Sequence, residues 1–221
     1  MTKHFPFTTL YLLLLFAAVI ASWLVGLYGV GNVQSLLSGE GIRWWMRSAL
    51  PAFASSPVGE MLLVLFTLGV VRRSCRAWSG RAFAVALTVF LLLVALVLWG
   101  VFSGNLLSAT GHWAHSPLQK GWLPLLALLV GIPCFFYGLN RGLFQSGEQV
   151  QEMLGSEVAR CASVFFAVFV ASQLVAVLTY SGLPAASGIS SRVFRYISLA
   201  IYWLPFLCGV FQVRKENKNN K

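Results

Sequence analysis

Long apolar runs separated by short polar or basic breaks set the pattern of this chain. Residues 8–30 hold no charge over 23 positions, enough to cross a hydrocarbon core of ~30 Å at about 1.5 Å per helical residue. Further runs lie at about 57–71, 82–102, 121–140, 161–181 and 193–213. The pattern predicts an all-α integral membrane protein, a single transmembrane domain over residues 1–221 with about six spanning helices. The first run is longer than the apolar part of a signal peptide and lacks a small-x-small cleavage site, so it reads as a retained anchor.

Two stretches depart from plain apolarity. Between Ser35 and Pro57, polar residues alternate with aromatic ones around Arg43, Trp44, Trp45 and Arg47, which predicts an amphipathic helix at the membrane interface. From Trp122 to Met153 an apolar span containing Gly131 and Pro133 gives way to a polar segment opened by Ser146. Pro133 removes a backbone donor, with Gly131 easing the bend, and Pro205 does the same in the last span, so these three positions are structural. Ser146 and Gln149 have capping-box spacing. The helix they open places Val150, Met153, Leu154 and Val158 on one face and assigns Glu148, Glu152 and Glu157 to the wetter side.

Composition sharpens the class. Hydrophobic residues make up 58% and charged ones 10%, whereas soluble domains carry roughly a quarter charged residues. A net charge of +10 invites nucleic acid as a partner, but the cations flank the apolar runs, so the partner is the lipid bilayer and not nucleic acid. With an internal amino terminus, Lys3, Arg72, Arg73, Arg76, Arg81, Arg141, Arg160, Arg214, Lys215, Lys218 and Lys221 fall on the cytoplasmic side. Only Arg43, Arg47, Lys120, Arg192 and Arg195 fall outside. The positive-inside rule therefore predicts both termini cytoplasmic, with residues 214–221 a solvated basic tail.

Candidate chemistry is sparse. The chain has no aspartate and six glutamates, which removes most of the carboxylates that coupling ions or metals recruit. His112 and His115 stand three apart in a Gly- and Ser-containing stretch without a third ligand nearby; a surface loop explains them, and no metal or cofactor is expected. Cys75, Cys134, Cys161 and Cys208 show no paired spacing and read as small apolar residues. No nucleophile, acid and base occur together at one membrane depth, so an enzyme is not expected. Gln173 lies inside an apolar span and must face another helix or a cavity, as a helix-to-helix hydrogen bond or as a substrate contact.

The run Ser35-Leu36-Leu37-Ser38 with Glu40-Gly41-Ile42-Arg43-Trp44, the run from Ile132-Pro133 through Tyr137-Gly138 and Ser146 to Met153, and the stretch around Gln173 together resemble the AbgT family of bacterial inner-membrane transporters, associated with p-aminobenzoyl-glutamate uptake and, in some members, antimetabolite export. An early block comprises Ser35-Leu36-Leu37-Ser38, Glu40-Gly41-Ile42-Arg43-Trp44, Pro57-x-Gly59, Leu68-Gly69-Val70 and Arg73-Ser74. Thr67, Glu60 and Arg72 depart from it, Arg72 standing where the family has glutamate. A second block is Ile132-Pro133, Tyr137-Gly138, Gly142, Ser146, Glu148, Val150 and Met153. A third runs through Phe165-Phe166, Ala171, Gln173 and Thr179-Tyr180-Ser181-Gly182-Leu183, where Thr179, Tyr180 and Gly182 depart from an Asn-Trp-Ser-Asn-like ending.

The resemblance implies a multi-pass transporter of the bacterial cytoplasmic membrane that moves p-aminobenzoyl-glutamate or a related aromatic anion. It also implies a homo-oligomer, a dimer by family, with a larger membrane partner as the alternative. Gln173, Thr179, Tyr180 and Glu60 are the candidate substrate contacts. Family transporters are more than twice as long and use two re-entrant hairpins; the first does not fit between the early block and the Pro133 block, and the residues after Leu183 suffice for one helix and a tail but not for the second. The competing expectation is therefore a transport-inactive relative that acts as a scaffold or modulator of another transporter.

Overall fold

The computed structural model describes residues 7–29, 33–74, 80–107 and 116–219, with side chains to residue 211. The described residues form helices and no strand. In chain order these are α1 (Phe7–Leu27), α2 (Gly39–Ala54), α3 (Val58–Ser74), α4 (Gly80–Phe102), α5 (Pro117–Lys120), α6 (Trp122–Asn140), α7 (Gly147–Arg160), α8 (Ala162–Ser181), α9 (Leu183–Ala186) and α10 (Ser191–Asn219). Six helical stretches are long and apolar enough to cross a membrane: α1, α2 with α3, α4, α6, α8 and residues Ser191–Phe211 of α10. The expected all-α, six-span architecture is thus present. His112, His115, Cys75 and Arg76 lie outside the described residues.

Two compact units divide the chain, one built from residues 1–59 with 161–221 and the other from residues 60–160. In the first, α8 is the hub: α1, α2 and α10 all pack on it. Its sequence is apolar around its whole circumference, as a helix covered on several sides requires. Val168, Ala171, Ser172 and Val177 are fully buried. Tyr11 and Ala18 of α1, Leu36 and the α8 residues Val170, Ala171, Leu174 and Val177 form one apolar cluster. Small residues set the spacing. A Cβ on Gly209 of α10 would stand 2.3 Å from Val164 Cγ2, so the missing side chain admits α8 at that level.

Proline leaves a mark in this unit. Pro205 lies inside α10 and has no N–H for the carbonyl four residues earlier, that of Ile201. The Tyr11 hydroxyl of α1 donates to that carbonyl at 2.9 Å, so a defect in one helix becomes a bond between two. Tyr11→Phe is expected to cost about 1 kcal/mol, within the range for hydrogen bonds between membrane helices. In a Pro205→Ala background, where the helix supplies its own donor, the same change should cost close to nothing. Denaturant unfolding of the four proteins in micelles measures that coupling.

The start of α2 is equally local in origin. Ser38 caps it, accepting from the Gly41 N–H at 3.0 Å while its hydroxyl donates to the Ser35 carbonyl at 2.8 Å. Gly41 is the residue this turn requires, because a Cβ there would stand 2.5 Å from the Leu36 carbonyl oxygen.

In the second unit α4 packs along α6, and α5 leads into α6. Leu91, Leu92, Leu96 and Trp99 of α4 stay exposed, as apolar residues facing lipid do. The helix α6 runs from Trp122 to Asn140 through Pro133 without interruption. Thr67 of α3 touches it: its one O–H lies within reach of both the Ala127 carbonyl at 3.1 Å and the Leu63 carbonyl of its own helix at 2.9 Å, which share it. Gly131 lets Thr67 approach, since an added Cβ would lie 3.2 Å from its Oγ1.

The capping box forms one step displaced from the ideal. The Gln149 N–H donates to Ser146 Oγ at 3.4 Å, while Gln149 Oε1 accepts from the N–H of Gln145 at 3.0 Å. Met153 of α7 is buried against Val70 and Phe144, with Phe144 stacked on Phe135 at 5.6 Å.

Candidate functional site

In the first unit the polar candidates gather on the seam between α2 and α8. Three side-chain contacts fix its register: Trp44 stacks on Tyr180 with centroids 4.1 Å apart, Gln173 meets Ala49, and Phe53 meets Phe169 edge-on at 5.4 Å. Positions rise on α2 as they fall on α8, so the two run antiparallel. Gln173 stands near the midpoint of α8, so Ala49 of α2 packs beside the middle of that helix.

Gln173 is buried, and its amide nitrogen donates to the Ala49 carbonyl at 2.9 Å and to Ser172 Oγ at 3.2 Å. Those acceptors fix which end of the amide is nitrogen, because a carbonyl oxygen takes only a donor. The remaining oxygen, Oε1, is buried and has no hydrogen-bond partner. A buried acceptor left open in this way costs free energy.

The other candidates stand differently. Thr179 is exposed, and its hydroxyl donates to the Val175 carbonyl of its own helix at 2.7 Å, a local bond that fills its donor. Tyr180, two turns from Gln173, closes one end of the seam against Trp44. Glu60 belongs to the second unit, half-buried in the first turn of α3. Gln173 and Tyr180 therefore share one seam, and Thr179 points to no site within it.

Gln173→Leu tests what the amide does for the fold. It removes the bond to Ala49, which costs stability, and the buried open oxygen, which restores some, so the two effects largely offset. Stability in micelles is expected to shift by less than about 1 kcal/mol. A larger loss, measured by denaturant titration, would make the amide a structural necessity.

The second unit holds a polar arrangement that differs from expectation. Glu157, assigned to the wet side of α7, is buried with 5% of its surface accessible. Arg72 of α3 places Nη1 at 2.7 and 2.6 Å from its two carboxylate oxygens, and Arg160 places Nη1 at 3.0 Å from Oε1. Two cations surround one carboxylate, which is how a charge is retained in a buried place.

The spacing of α7 contained the signal for this. Glu157 follows Val150 by seven and Met153 by four, so it belongs to the face that Met153 buries. Glu148 and Glu152 are exposed as expected. Among the described residues no group of His, Cys, Asp and Glu is arranged to hold a metal ion. Cys161 is buried, and Cys134 and Cys208 are half-buried.

Six apolar helices, a helix hub that carries a buried amide, and an ion-paired connector between two spans define a polytopic helical membrane protein. A sequence model of the AbgT putative transporter family matches residues 74–199, more than half of the chain. The chain belongs to that family. The match covers α4 to α8 and enters α10; it contains the Pro133, Ser146 and Gln173 blocks, and all of the early block before Ser74 lies outside it. No curated protein and no solved structure matches the chain.

Proposed function

We propose that this AbgT-family membrane protein moves p-aminobenzoyl-glutamate or a related aromatic anion across the bacterial cytoplasmic membrane. The observation that carries the reading is the family match over residues 74–199, which contains α6, α7 and the α8 helix bearing Gln173. The open Gln173 Oε1 supports it further, as an acceptor suited to the N–H groups of an aromatic amide. In this reading both termini are cytoplasmic, the chain works without cofactor or metal and catalyses no chemical step, and it assembles as a homo-oligomer.

Proteoliposomes containing only this chain should accumulate labelled p-aminobenzoyl-glutamate above empty vesicles, and Gln173→Leu should reduce that uptake while leaving the protein folded. Absence of uptake in correctly oriented vesicles with verified protein content counts against the reading.

One observation favours a second reading, a scaffold or modulator of another transporter. The Gln173 amide nitrogen is already committed to α2, as expected of an amide that glues helices together. Crosslinking in native membranes separates the two: a larger transporter captured on this chain supports the modulator, and capture of self-oligomers alone opposes it.

A further inference from the structure

The Arg72–Glu157–Arg160 cluster is unequal in its exposure. The Glu157 side chain keeps 7% of its surface accessible, while Arg72 keeps 36% and Arg160 keeps 49%. The anion is covered, whereas the cations are partly exposed. Only one nitrogen of each guanidinium is used, since Nη1 of Arg72 takes both carboxylate oxygens and Nη1 of Arg160 takes one. A guanidinium carries five N–H donors. Among the described residues the remaining donors on both arginines have no partner.

Charge points the same way. One carboxylate between two arginines leaves a net positive charge, and Arg73, which follows Arg72 in the last turn of α3, adds an exposed cation at the same helix end. The other acids of α7, Glu152 and Glu148, lie five and nine residues before Glu157, which places them roughly 140° and 180° around the helix from it. They are turned away from the cluster and do not neutralise it.

Position selects the ligand. Arg72 and Arg73 occupy the last turn of α3, a spanning segment, and Arg160 stands two residues before α8, another span. Cations at helix ends of this kind lie at the depth of lipid headgroups. We propose that Arg72, Arg160 and Arg73 form a binding site for the phosphate of an anionic phospholipid headgroup, with Glu157 orienting two of the three guanidiniums. The free N–H groups meet the phosphate oxygens in charge-assisted bonds. The ordering of two long side chains is already accomplished by Glu157, so the lipid need not supply it.

Arg160→Gln is the informative variant, because Glu157 keeps its pairing with Arg72 and stays compensated. Binding of phosphatidylglycerol to the micelle-solubilised chain, read by native mass spectrometry, is expected to fall about fivefold, the loss assigned to one arginine at an anionic surface. Arg73→Gln, at an exposed residue, should lower it by a similar factor. Arg195→Gln, a change to an arginine outside the cluster, should leave it unchanged, and phosphatidylcholine should bind weakly to every variant. Equal losses in Arg160→Gln and Arg195→Gln would reduce the effect to general charge attraction and overturn the site. Inorganic phosphate that displaces phosphatidylglycerol at matched phosphate concentration would overturn the lipid assignment in favour of a free anion.

Discussion

Arg72→Gln is expected to lower stability by about 2–3 kcal/mol, between the values for an exposed pair and for breaking a fully buried one, because Arg72 is itself a third exposed. Glu157 is then buried with Arg160 alone, a partner three residues along the same helix whose side chain is half in solvent. Much of the loss is the cost of a carboxylate left under-compensated where water does not reach it.

That origin makes a second outcome testable. Glu157→Gln in the Arg72→Gln background removes the stranded charge and should recover most of the loss, so the double variant is more stable than Arg72→Gln alone. Equilibrium unfolding in mixed micelles gives the cycle. An Arg72→Gln protein as stable as the parent would mean that the pair is a surface contact of no consequence. Arg160→Gln, which leaves the shorter contacts of Arg72 in place, should cost less than 1 kcal/mol, roughly the value of an exposed pair.

The pair also indicates which parts of the structure were legible in the sequence. Spanning helices follow from composition and run length, because in lipid every backbone group must be satisfied within the segment; α1, α4, α6, α8 and most of α10 coincide with runs visible in the chain. The opening of α7 at Ser146 was legible for the same local reason, a cap and its reciprocal partner three residues on.

Glu157 was misread because glutamate ranks as a wet residue by type, while its helical position marked it as dry. Arg72 was read as a topological anchor at a helix end, and nothing local in the sequence says that its partner lies 85 residues away. The Gln173 seam was half legible. A glutamine in an apolar span demands a partner, but only packing reveals that the partner is the backbone of α2 and that the amide oxygen is left over. The bond from Tyr11 to Ile201 falls in the same class: Pro205 announces the orphaned carbonyl, and the donor comes from a helix at the other end of the chain.

Gly69→Ala carries the other large expected effect, and the reason is backbone meeting backbone. A Cβ on Gly69 would stand 2.8 Å from the carbonyl oxygen of Met153 and 3.6 Å from Glu157 Cγ. The first contact is shorter than side chains tolerate, and a carbonyl cannot rotate aside as a flexible side chain does. The methyl must therefore move α7 as a body away from α3. Met153, buried against Val70 and Phe144, would lose packing, and the Arg72–Glu157 contact, already at hydrogen-bond length, would lengthen. Overpacking of this kind costs about 1–3 kcal/mol, with the upper part expected here because the strain and the ion pair are coupled. Gly69→Ala combined with Arg72→Gln should then lose less than the two single changes summed, since the displaced helix has already weakened the pair. Strict additivity in the same micelle titration would show that Gly69 and the ion pair hold α7 independently. Gly59, at which an added Cβ meets nothing within 4 Å, is the matched control: Gly59→Ala should change stability by less than about 0.5 kcal/mol.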